Sequence, residues 1–317
     1  MKAAQISEYG DPSVVKMNDV PVPEAGPRQV LVEVHASSLN PADIGLYRGA
    51  MKNILPLHFP ATLGGDIAGI VTAVGAGVTG VKPGDRVFGQ AYVIFGDSGA
   101  LAEYAVTDAS RLARMPQNAD FAGAAAFVLV GVSALQALRQ HVQLRAGQKI
   151  LIHGGAGSIG QLAIQLAKHL GAYVATTVAG KDVAFVKSLG ADEVFDYQAE
   201  DFSKSLSGYD AVVDLAGGAG DDVMERSLKV LKPGATIVSL VAYKGSMALL
   251  QAQSRGFTVY TQQTSITTEM LDTLRGLIEA GTLTLKVAKT YPLADIQEAF
   301  RALETTHPGK IAIQIKQ

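Results

Sequence analysis

The chain has 317 residues, of which 48% are hydrophobic and 18% are charged, and its formal net charge is −2 at pH 7. This composition is typical of a globular protein of two domains, and the near-neutral charge argues against a nucleic-acid partner. Cysteine is absent, which excludes disulfides, a thiolate nucleophile and zinc sites built on cysteine.

The first 120 residues are predicted to be all-β with loops. Nine of the 12 prolines lie here, and proline disfavours helix interiors. Valine-rich and β-branched runs predict strands at residues 30–35, 66–74 and 86–88. The opening sequence Met-Lys-Ala-Ala-Gln-Ile-Ser-Glu lacks the apolar segment of a signal peptide, so we expect a cytoplasmic protein.

Residues 121–138 form an uncharged stretch of 18 residues, near the length that spans a membrane. Polar residues and glycines interrupt this stretch, with Gly131 in its middle. We therefore predict two short helical pieces buried in a globular core, and no membrane span.

Residues 121–284 are predicted to form a doubly wound, mostly parallel α/β sheet. Runs that predict strands alternate with segments whose leucines and valines recur at helical spacing. Gly171, Gly190 and Gly281 follow three of the predicted helices, where a left-handed residue is expected. The predicted strands cover residues 149–153, 173–177, 193–195, 211–214, 236–240 and 258–261, and the predicted helices cover 158–170, 182–189, 221–231 and 269–280.

The last residues return to a β pattern, with predicted strands at 287–291 and 310–316 around a helix at 294–303. We expect these strands to join the sheet of the first domain. The predicted domains are therefore residues 1–120 together with 285–317, and residues 121–284.

A glycine-rich turn separates the strand 149–153 from the helix that follows it. The turn fits G-x-G-x-x-G at Gly155, Gly157 and Gly160. In this context glycines permit a tight turn, the approach of a pyrophosphate to bare backbone, and close packing of helix on strand. The start of the helix adds N–H groups and a positive dipole end. The sequence therefore predicts a dinucleotide site.

The end of the next strand bears on the choice of cofactor. An NAD-specific site has an acidic residue about 20 residues after the glycine turn, where this chain has Thr177 and, a little further on, Lys181. A hydroxyl and an ammonium attract the 2′-phosphate that a carboxylate would repel, so we expect NADPH rather than NADH. The alternative is that Lys181 is an ordinary surface lysine, and the adjacent Asp182 weakens its attraction for phosphate.

The sequence gives no sign of metal or hydrolase chemistry. None of the six histidines has the H-x-x-x-H or H-E-x-x-H spacing, and no G-x-S-x-G nucleophile elbow is present. We therefore expect no metal site.

Several motifs together resemble one family over nearly the whole chain, the zinc-independent quinone oxidoreductase (ζ-crystallin-like) branch of the medium-chain dehydrogenase/reductase superfamily. The motifs are Ser38-Leu39-Asn40-Pro41-Ala42-Asp43 with Arg48-Gly49, residues 60–75, residues 80–89, Gly190-Ala191-Asp192 and Pro308-Gly309-Lys310. The resemblance implies a GroES-like β-rich catalytic domain and a Rossmann domain, with cofactor and substrate in the cleft between them. Zinc-dependent relatives have a cysteine near position 40 and Gly-His-Glu near position 65, where this chain has Asn40 and Gly64-Gly65-Asp66.

The resemblance also implies the site residues. Asn40 and Tyr47 match positions that line a quinone or enone pocket; without the family, Asn40 would be a turn residue before Pro41 and Tyr47 a packed core aromatic. The residues implied to contact NADPH are Gly154, Gly155, Ala156, Gly157, Ser158, Ile159, Gly160, Thr177, Lys181, Tyr197, Ala216, Val241 and Lys310.

The implied activity is an NADPH-dependent quinone reductase. Hydride from the cofactor would turn the substrate oxygen into an oxyanion, with the Asn40 amide and the Tyr47 hydroxyl as donors and with Tyr47 or water as the proton source. One alternative is reduction of the C=C bond of a 2-alkenal or enone. Another is a catalytically silent NADPH-binding protein that senses redox state or binds AU-rich RNA, although the net charge weighs against RNA. An apolar edge strand at residues 257–260 predicts a homodimer.

Overall fold

The computed structural model describes residues 1–50, 52–53, 55–216, 220–241, 246–305 and 308–316. The chain forms two compact units. The first contains Met1–Leu129, Ile266–Gly281 and Leu285–Gln317, and the second contains Val130–Ser265 and Thr282–Thr284. The predicted domain limits, 1–120 with 285–317 and 121–284, stay a prediction.

The strands and helices of the described residues follow in chain order. The strands are β1 (Lys2–Ile6), β2 (Lys16–Asp19), β3 (Gln29–Ser38), β4 (Ala61–Thr62), β5 (Asp66–Val74), β6 (Arg86–Gln90), β7 (Tyr104–Asp108), β8 (Leu112–Arg114), β9 (Lys149–His153), β10 (Tyr173–Val178), β11 (Glu193–Asp196), β12 (Tyr209–Asp214), β13 (Leu231–Ser239), β14 (Thr258–Thr261), β15 (Val287–Pro292) and β16 (Lys310–Gln314). The helices are α1 (Pro41–Tyr47), α2 (Phe121–Leu135), α3 (Ser158–His169), α4 (Val183–Ser188), α5 (Gly220–Val230), α6 (Met247–Ser254), α7 (Thr268–Glu279) and α8 (Ile296–Leu303).

The first unit is built on a seven-stranded sheet in the order β15-β16-β3-β5-β6-β8, in which β7 also pairs with β3. The strand β16 pairs antiparallel with β3, which confirms that the C-terminal strands join the N-terminal sheet. Along β3, Val30, Val32 and Val34 are fully buried and alternate with more exposed residues. This alternation is the period of a strand with one face on the core.

A short helix, α1, interrupts the β-rich first unit. The prediction of strands and loops alone was wrong here, because it took proline as evidence against a helix. Pro41 occupies the first turn of α1, where its missing N–H needs no partner. The carboxylate of Asp43, three residues after Asn40, accepts a 2.8 Å hydrogen bond from the Asn40 N–H and holds the helix start.

The second unit contains a six-stranded parallel sheet in the order β11-β10-β9-β12-β13-β14. The first strand of this sheet in sequence, β9, lies in its middle. The strands β10 and β11 follow on one side and β12, β13 and β14 on the other, which is the Rossmann order. All six predicted strands are present, and the predicted left-handed glycines are confirmed after α3 and α4, with φ of 79° at Gly171 and 101° at Gly190. The sheet edge at β14 is also confirmed.

The uncharged stretch after residue 120 forms one helix and not two pieces. The helix α2 continues through Gly131 into a π-helical turn, Gln136–His141. A helical glycine costs only about 1 kcal/mol relative to alanine, which the burial of the apolar neighbours offsets. By length and composition Phe121–His141 qualifies as a membrane-spanning candidate, but 78% of its most apolar window is buried inside the protein.

Candidate functional site

The glycine turn of the second unit follows β9 directly. Gly154 has a φ of +77°, a conformation that strongly favours glycine, and its N–H donates to the Thr177 carbonyl oxygen at 3.1 Å. The N–H of Gly155 donates to the same oxygen at 3.3 Å. Gly157 precedes the first residue of α3 as its N-cap. The left-handed turn residue is thus Gly154, one position before the G-x-G-x-x-G motif that begins at Gly155.

The helix α3 packs so closely against this turn that there is no room for a side chain at Gly160. A methyl group on Gly160 would lie 2.3 Å from the Gly154 carbonyl oxygen, so only glycine fits there. The Gln161 side chain donates from Nε2 to the Ala156 carbonyl oxygen at 3.0 Å and fixes the turn on the helix. A bare-backbone turn before the positive end of a helix fits the pyrophosphate of a dinucleotide.

Thr177 lies at the end of β10, where its hydroxyl is bound to a buried histidine. His153 Nδ1 is 2.9 Å from Thr177 Oγ1, and His153 Nε2 is 2.8 Å from Ser227 Oγ. Ser227 uses its own proton to donate to the Val223 carbonyl oxygen at 2.7 Å, so His153 Nε2 must be the donor to Ser227. Burial lowers the pKa of His153 to about 3, and the ring is therefore neutral with Nδ1 as an acceptor.

This arrangement commits the single hydroxyl proton of Thr177 to His153. The Thr177 oxygen retains a lone pair and can accept a hydrogen bond from a cofactor, but it cannot donate one to a phosphate. The predicted contact between Thr177 and the cofactor stays a prediction. The expectation that its hydroxyl attracts a 2′-phosphate as a donor is corrected, because its proton is already used.

The loop after β10 carries Lys181, which is exposed and has no ion pair within the described parts of the chain. Tyr197, which follows β11, is 57% exposed and donates its N–H to the Val178 carbonyl oxygen at 3.1 Å. Asp196, which was not predicted as a site residue, pairs with Val178 in the sheet. A methyl group on Gly180 would lie 2.4 Å from the Asp196 carboxylate, so this negative group borders the Lys181 loop.

Ala216 and Val241 follow β12 and β13 at the carboxyl ends of the parallel strands. Asp214 at the end of β12 is in register with His153 at the end of β9, so both ends lie at the edge that carries the glycine turn. Ligands of open α/β sheets bind at this edge. The residues that directly follow, 217–219 and 242–245, lie outside the described residues.

A buried polar cluster lies at one edge of the large sheet of the first unit. Asp66 is fully buried, and its Oδ2 accepts hydrogen bonds from Ser38 Oγ and from Asn40 Nδ2, both at 2.7 Å. Its Oδ1 accepts from the Leu129 N–H at 3.2 Å. Strand register brings these groups together, since Ser38 at the end of β3 is the partner of Asp66 at the start of β5.

Lys310 contributes a positive charge to the same cluster. Only 2% of the residue is exposed, and its Nζ donates to the Leu39 carbonyl oxygen at 2.7 Å and to Asn40 Oδ1 at 2.5 Å. The ammonium lies 3.5 Å from Asp66 Oδ2. Burial lowers the pKa of Lys310, although the Asp66 and Asp43 carboxylates favour its charged form. The predicted cofactor contact of Lys310 stays a prediction; its ammonium is held by protein oxygens.

These contacts fix the orientation of the Asn40 amide. Lys310 has no acceptor to offer and Asp66 has no donor, so the amide oxygen must face Lys310 and the amide nitrogen must face Asp66. The nitrogen carries two protons, of which Asp66 accepts one. One N–H of Asn40 therefore remains as a donor to another group. The sequence placed Asn40 in the site only through the resemblance, and it gave no signal for Asp66 and Lys310 as its partners.

Asp43 adds a second carboxyl group to the cluster. The residue is 1% exposed, and burial raises the pKa of its carboxyl to about 7. The hydrogen bond from the Asn40 N–H opposes this rise, Asp66 adds to it, and Lys310 opposes it. The cluster therefore contains a group that titrates near neutral pH.

Tyr47 lies on the buried side of α1 and not among these polar groups. The residue is fully buried, and its ring meets Phe300 edge to face at a centroid distance of 5.1 Å. Its hydroxyl has no hydrogen-bond partner of normal geometry among the described residues, and burial raises its pKa. This environment is that of a packed core aromatic, and the catalytic role of Tyr47 stays a prediction.

Zinc does not fit the polar cluster. The place where zinc-dependent relatives have a metal-binding cysteine holds Asn40, and the Lys310 ammonium already lies 2.5 Å from Asn40 Oδ1 and 3.5 Å from Asp66 Oδ2. A second cation there would meet this charge at close range. Within the described ranges no group of three or more His, Cys, Asp or Glu side chains is placed to hold a metal.

Two families match the chain. The alcohol dehydrogenase GroES-like domain matches residues 26–117, and a family described as zinc-binding dehydrogenase matches residues 189–313. With the fold and the glycine turn, these matches define an oxidoreductase that uses a nicotinamide cofactor. The chain belongs to the zinc-independent quinone oxidoreductase branch of the medium-chain dehydrogenase/reductase superfamily.

Relatives extend over the whole chain. A chloroplast envelope quinone oxidoreductase homolog of Arabidopsis thaliana is 33% identical, with 99% of this chain and 98% of the relative covered. A chloroplastic NADPH-dependent alkenal/one oxidoreductase of the same plant is 34% identical, with 99% and 79% covered.

Solved structures agree with the fold. The quinone oxidoreductase of Coxiella burnetii has a TM-score of 0.89 and 34% identity, with 100% of this chain and 99% of that chain covered. The Escherichia coli quinone oxidoreductase complexed with NADPH has a TM-score of 0.86 and 28% identity, with 99% and 100% covered.

Proposed function

We propose that this protein is an NADPH-dependent quinone reductase that works without a metal ion. The observation that carries the proposal is the Asn40 amide, held by Asp66 and Lys310 so that one N–H remains available. A quinone that accepts hydride becomes an oxyanion, and an oriented donor in a buried site stabilises that charge.

The bound cofactor supplies the hydride, and the chain supplies orientation and charge stabilisation. Asn40 is 4% exposed, so its amide acts where little water competes for the substrate oxygen. Because Lys310 and Asp66 hold the amide before substrate binds, no reorganisation is needed during the reaction.

The preference for NADPH over NADH rests on Lys181 and on the absence of a carboxylate at position 177. The Asp196 carboxylate beside the Gly180 turn acts in the opposite direction and moderates the preference. A relative named NADPH-dependent and the E. coli structure that contains NADPH support this choice.

Reduction of the C=C bond of a 2-alkenal or enone is the second candidate, favoured by the alkenal/one oxidoreductase relative. Hydride addition to the β-carbon puts the negative charge on the carbonyl oxygen, so the same Asn40 donor serves this reaction. The two candidates differ in the acceptor and share the cofactor.

Steady-state oxidation of NADPH and NADH with 1,4-benzoquinone and with a 2-alkenal distinguishes these functions. We expect turnover with NADPH and the quinone. Turnover with the alkenal alone would favour the second candidate, and tight NADPH binding without turnover of either acceptor would overturn both in favour of a silent binding protein.

We also propose that the protein is a cytoplasmic homodimer, and the edge position of β14 supports pairing through this strand. Tyr260 on β14 is 37% exposed, and unpaired strand edges favour pairing. Sedimentation of the protein should give the mass of a dimer, and Val259→Pro should yield monomers; a monomeric wild type would contradict this proposal.

A further inference from the structure

Tyr92 lies at the same sheet edge as Asn40. In the sheet, Asp66 at the start of β5 pairs with Ser38 at the end of β3 on one side and with Gln90 at the end of β6 on the other. Asn40 and Tyr92 are each two residues beyond these partners. Asn40 and Tyr92 therefore lie at the same distance along the chain from the two strand residues that flank Asp66.

The backbone and ring of Tyr92 are firmly held. Its N–H donates to Asp97 Oδ2 at 3.1 Å, and Arg111 holds the same carboxylate with a 2.6 Å ion pair. The ring packs on Gly65, where an added methyl group would come within 3.2 Å of two ring carbons. Gly65 directly precedes Asp66, so the ring lies against the start of the polar cluster.

The Tyr92 hydroxyl is buried without a partner. The residue is 7% exposed, and its hydroxyl makes no hydrogen bond to the described part of the chain. Buried hydroxyls in native proteins are normally hydrogen-bonded, so the Tyr92 hydroxyl is a donor that has no acceptor among the described residues. Burial first, and then the nearby Asp43 and Asp66 carboxylates, raise the pKa of Tyr92 well above its ordinary value. The hydroxyl thus keeps its proton as a donor.

Tyr47 has different surroundings. The charged groups that influence its hydroxyl are Arg48, Glu304 and Asp11, which do not belong to the cluster around Asn40. Of the two tyrosines, Tyr92 is the one whose ring packs on Gly65, the residue next to Asp66.

We propose that the Tyr92 hydroxyl and the remaining Asn40 N–H together bind the substrate oxygen, which rests on the proposed reductase function. In this step the substrate gains a hydride at carbon, a π electron pair moves onto its oxygen, and the nicotinamide is left oxidised. Tyr92 and Asn40 donate hydrogen bonds to that oxygen until a proton from water neutralises the product.

The test compares Tyr92→Phe with the wild type and with Tyr104→Phe as a matched control, since Tyr104 donates to Glu33 at 3.2 Å elsewhere in the unit. We expect Tyr92→Phe to lower kcat with 1,4-benzoquinone about 10²-fold, as loss of one oxyanion donor does, with the KM for NADPH unchanged. Gly65→Ala, which displaces the ring, should lower kcat in the same direction. Tyr104→Phe should leave it unchanged.

A binding measurement gives a second readout. Wild-type protein should bind 4-nitrophenol, an oxyanion mimic, with a shift of its absorbance toward the phenolate, and Tyr92→Phe should lose this shift. An active wild type with an equally active Tyr92→Phe variant would overturn the role of Tyr92 alone. A wild type inactive with quinones and alkenals would instead overturn the proposed function and the role of Tyr92 with it.

Discussion

Replacing Lys310 with methionine leaves the buried Asp66 carboxylate without the ammonium that lies 3.5 Å from it. The change also removes the donor to the Leu39 carbonyl oxygen and to Asn40 Oδ1. Removing one partner of a buried ion pair costs about 3–5 kcal/mol, because the remaining charge has no compensation. At about 2 °C per kcal/mol for a chain of this size, we expect the thermal midpoint of Lys310→Met to fall by about 6–10 °C.

Circular dichroism melting of Lys310→Met, Asp66→Asn and the double variant measures this interaction. The double variant has no unpaired charge, so its loss should be smaller than the sum of the two single losses. Lys316→Met is the control, because Lys316 pairs with Glu33 while 52% exposed and such pairs contribute about 0–1 kcal/mol. Additive single losses, or a Lys310→Met midpoint equal to that of the control, would refute the buried pair.

Three further predictions concern pH, cofactor choice and the turn. The folded chain holds the Asp43 proton up to about pH 7, whereas the unfolded chain releases it near 3.8, so stability falls by about 4 kcal/mol as the pH rises through this window. Urea melts at pH 5 and pH 8 should show about 3 kcal/mol of this fall, and Asp43→Asn should remove it; an unchanged dependence would contradict the raised pKa of Asp43. Lys181→Ala should raise the KM for NADPH about tenfold, the low end for a charge-assisted contact since Lys181 is exposed, whereas Thr177→Val should not. An equal rise in the KM for NADH would show that Lys181 does not recognise the 2′-phosphate. Gly160→Ala should abolish binding of both dinucleotides in calorimetry, because its methyl would lie 2.3 Å from a carbonyl oxygen; retained affinity would refute the close packing.

The parallel sheet of the second unit was largely predictable from the sequence. Its strands are apolar and its helices amphipathic, so periodicity found β9, α3 and β14 close to their observed bounds. The helix α6 was not predicted, because its eight residues are too few for a clear helical period and its buried residues are mostly alanines. The helix α1 was missed because the many prolines of the first 120 residues were taken as evidence against any helix there. A proline in the first turn, such as Pro41, is compatible with a helix.

The candidate site was less predictable, because much of it depends on sheet register. The glycine turn is local in sequence and was found from its pattern. Asn40, Asp66 and Lys310 are far apart in the chain and meet only because β3 pairs with both β5 and β16. That register depends on how the buried faces of the strands pack, and it could not be read from the sequence alone. The hydrogen bond from Thr177 to His153 could not be predicted for the same reason, because it depends on the register between β10 and β9.

The most direct test of the central claim is the rate of NADPH oxidation by purified protein with 1,4-benzoquinone, compared between the wild type and Asn40→Ala. We expect turnover by the wild type, and a kcat lower by about 10²–10³-fold in Asn40→Ala with unchanged binding of NADPH. A wild type that binds NADPH tightly but does not oxidise it, or an Asn40→Ala variant as active as the wild type, would contradict the account.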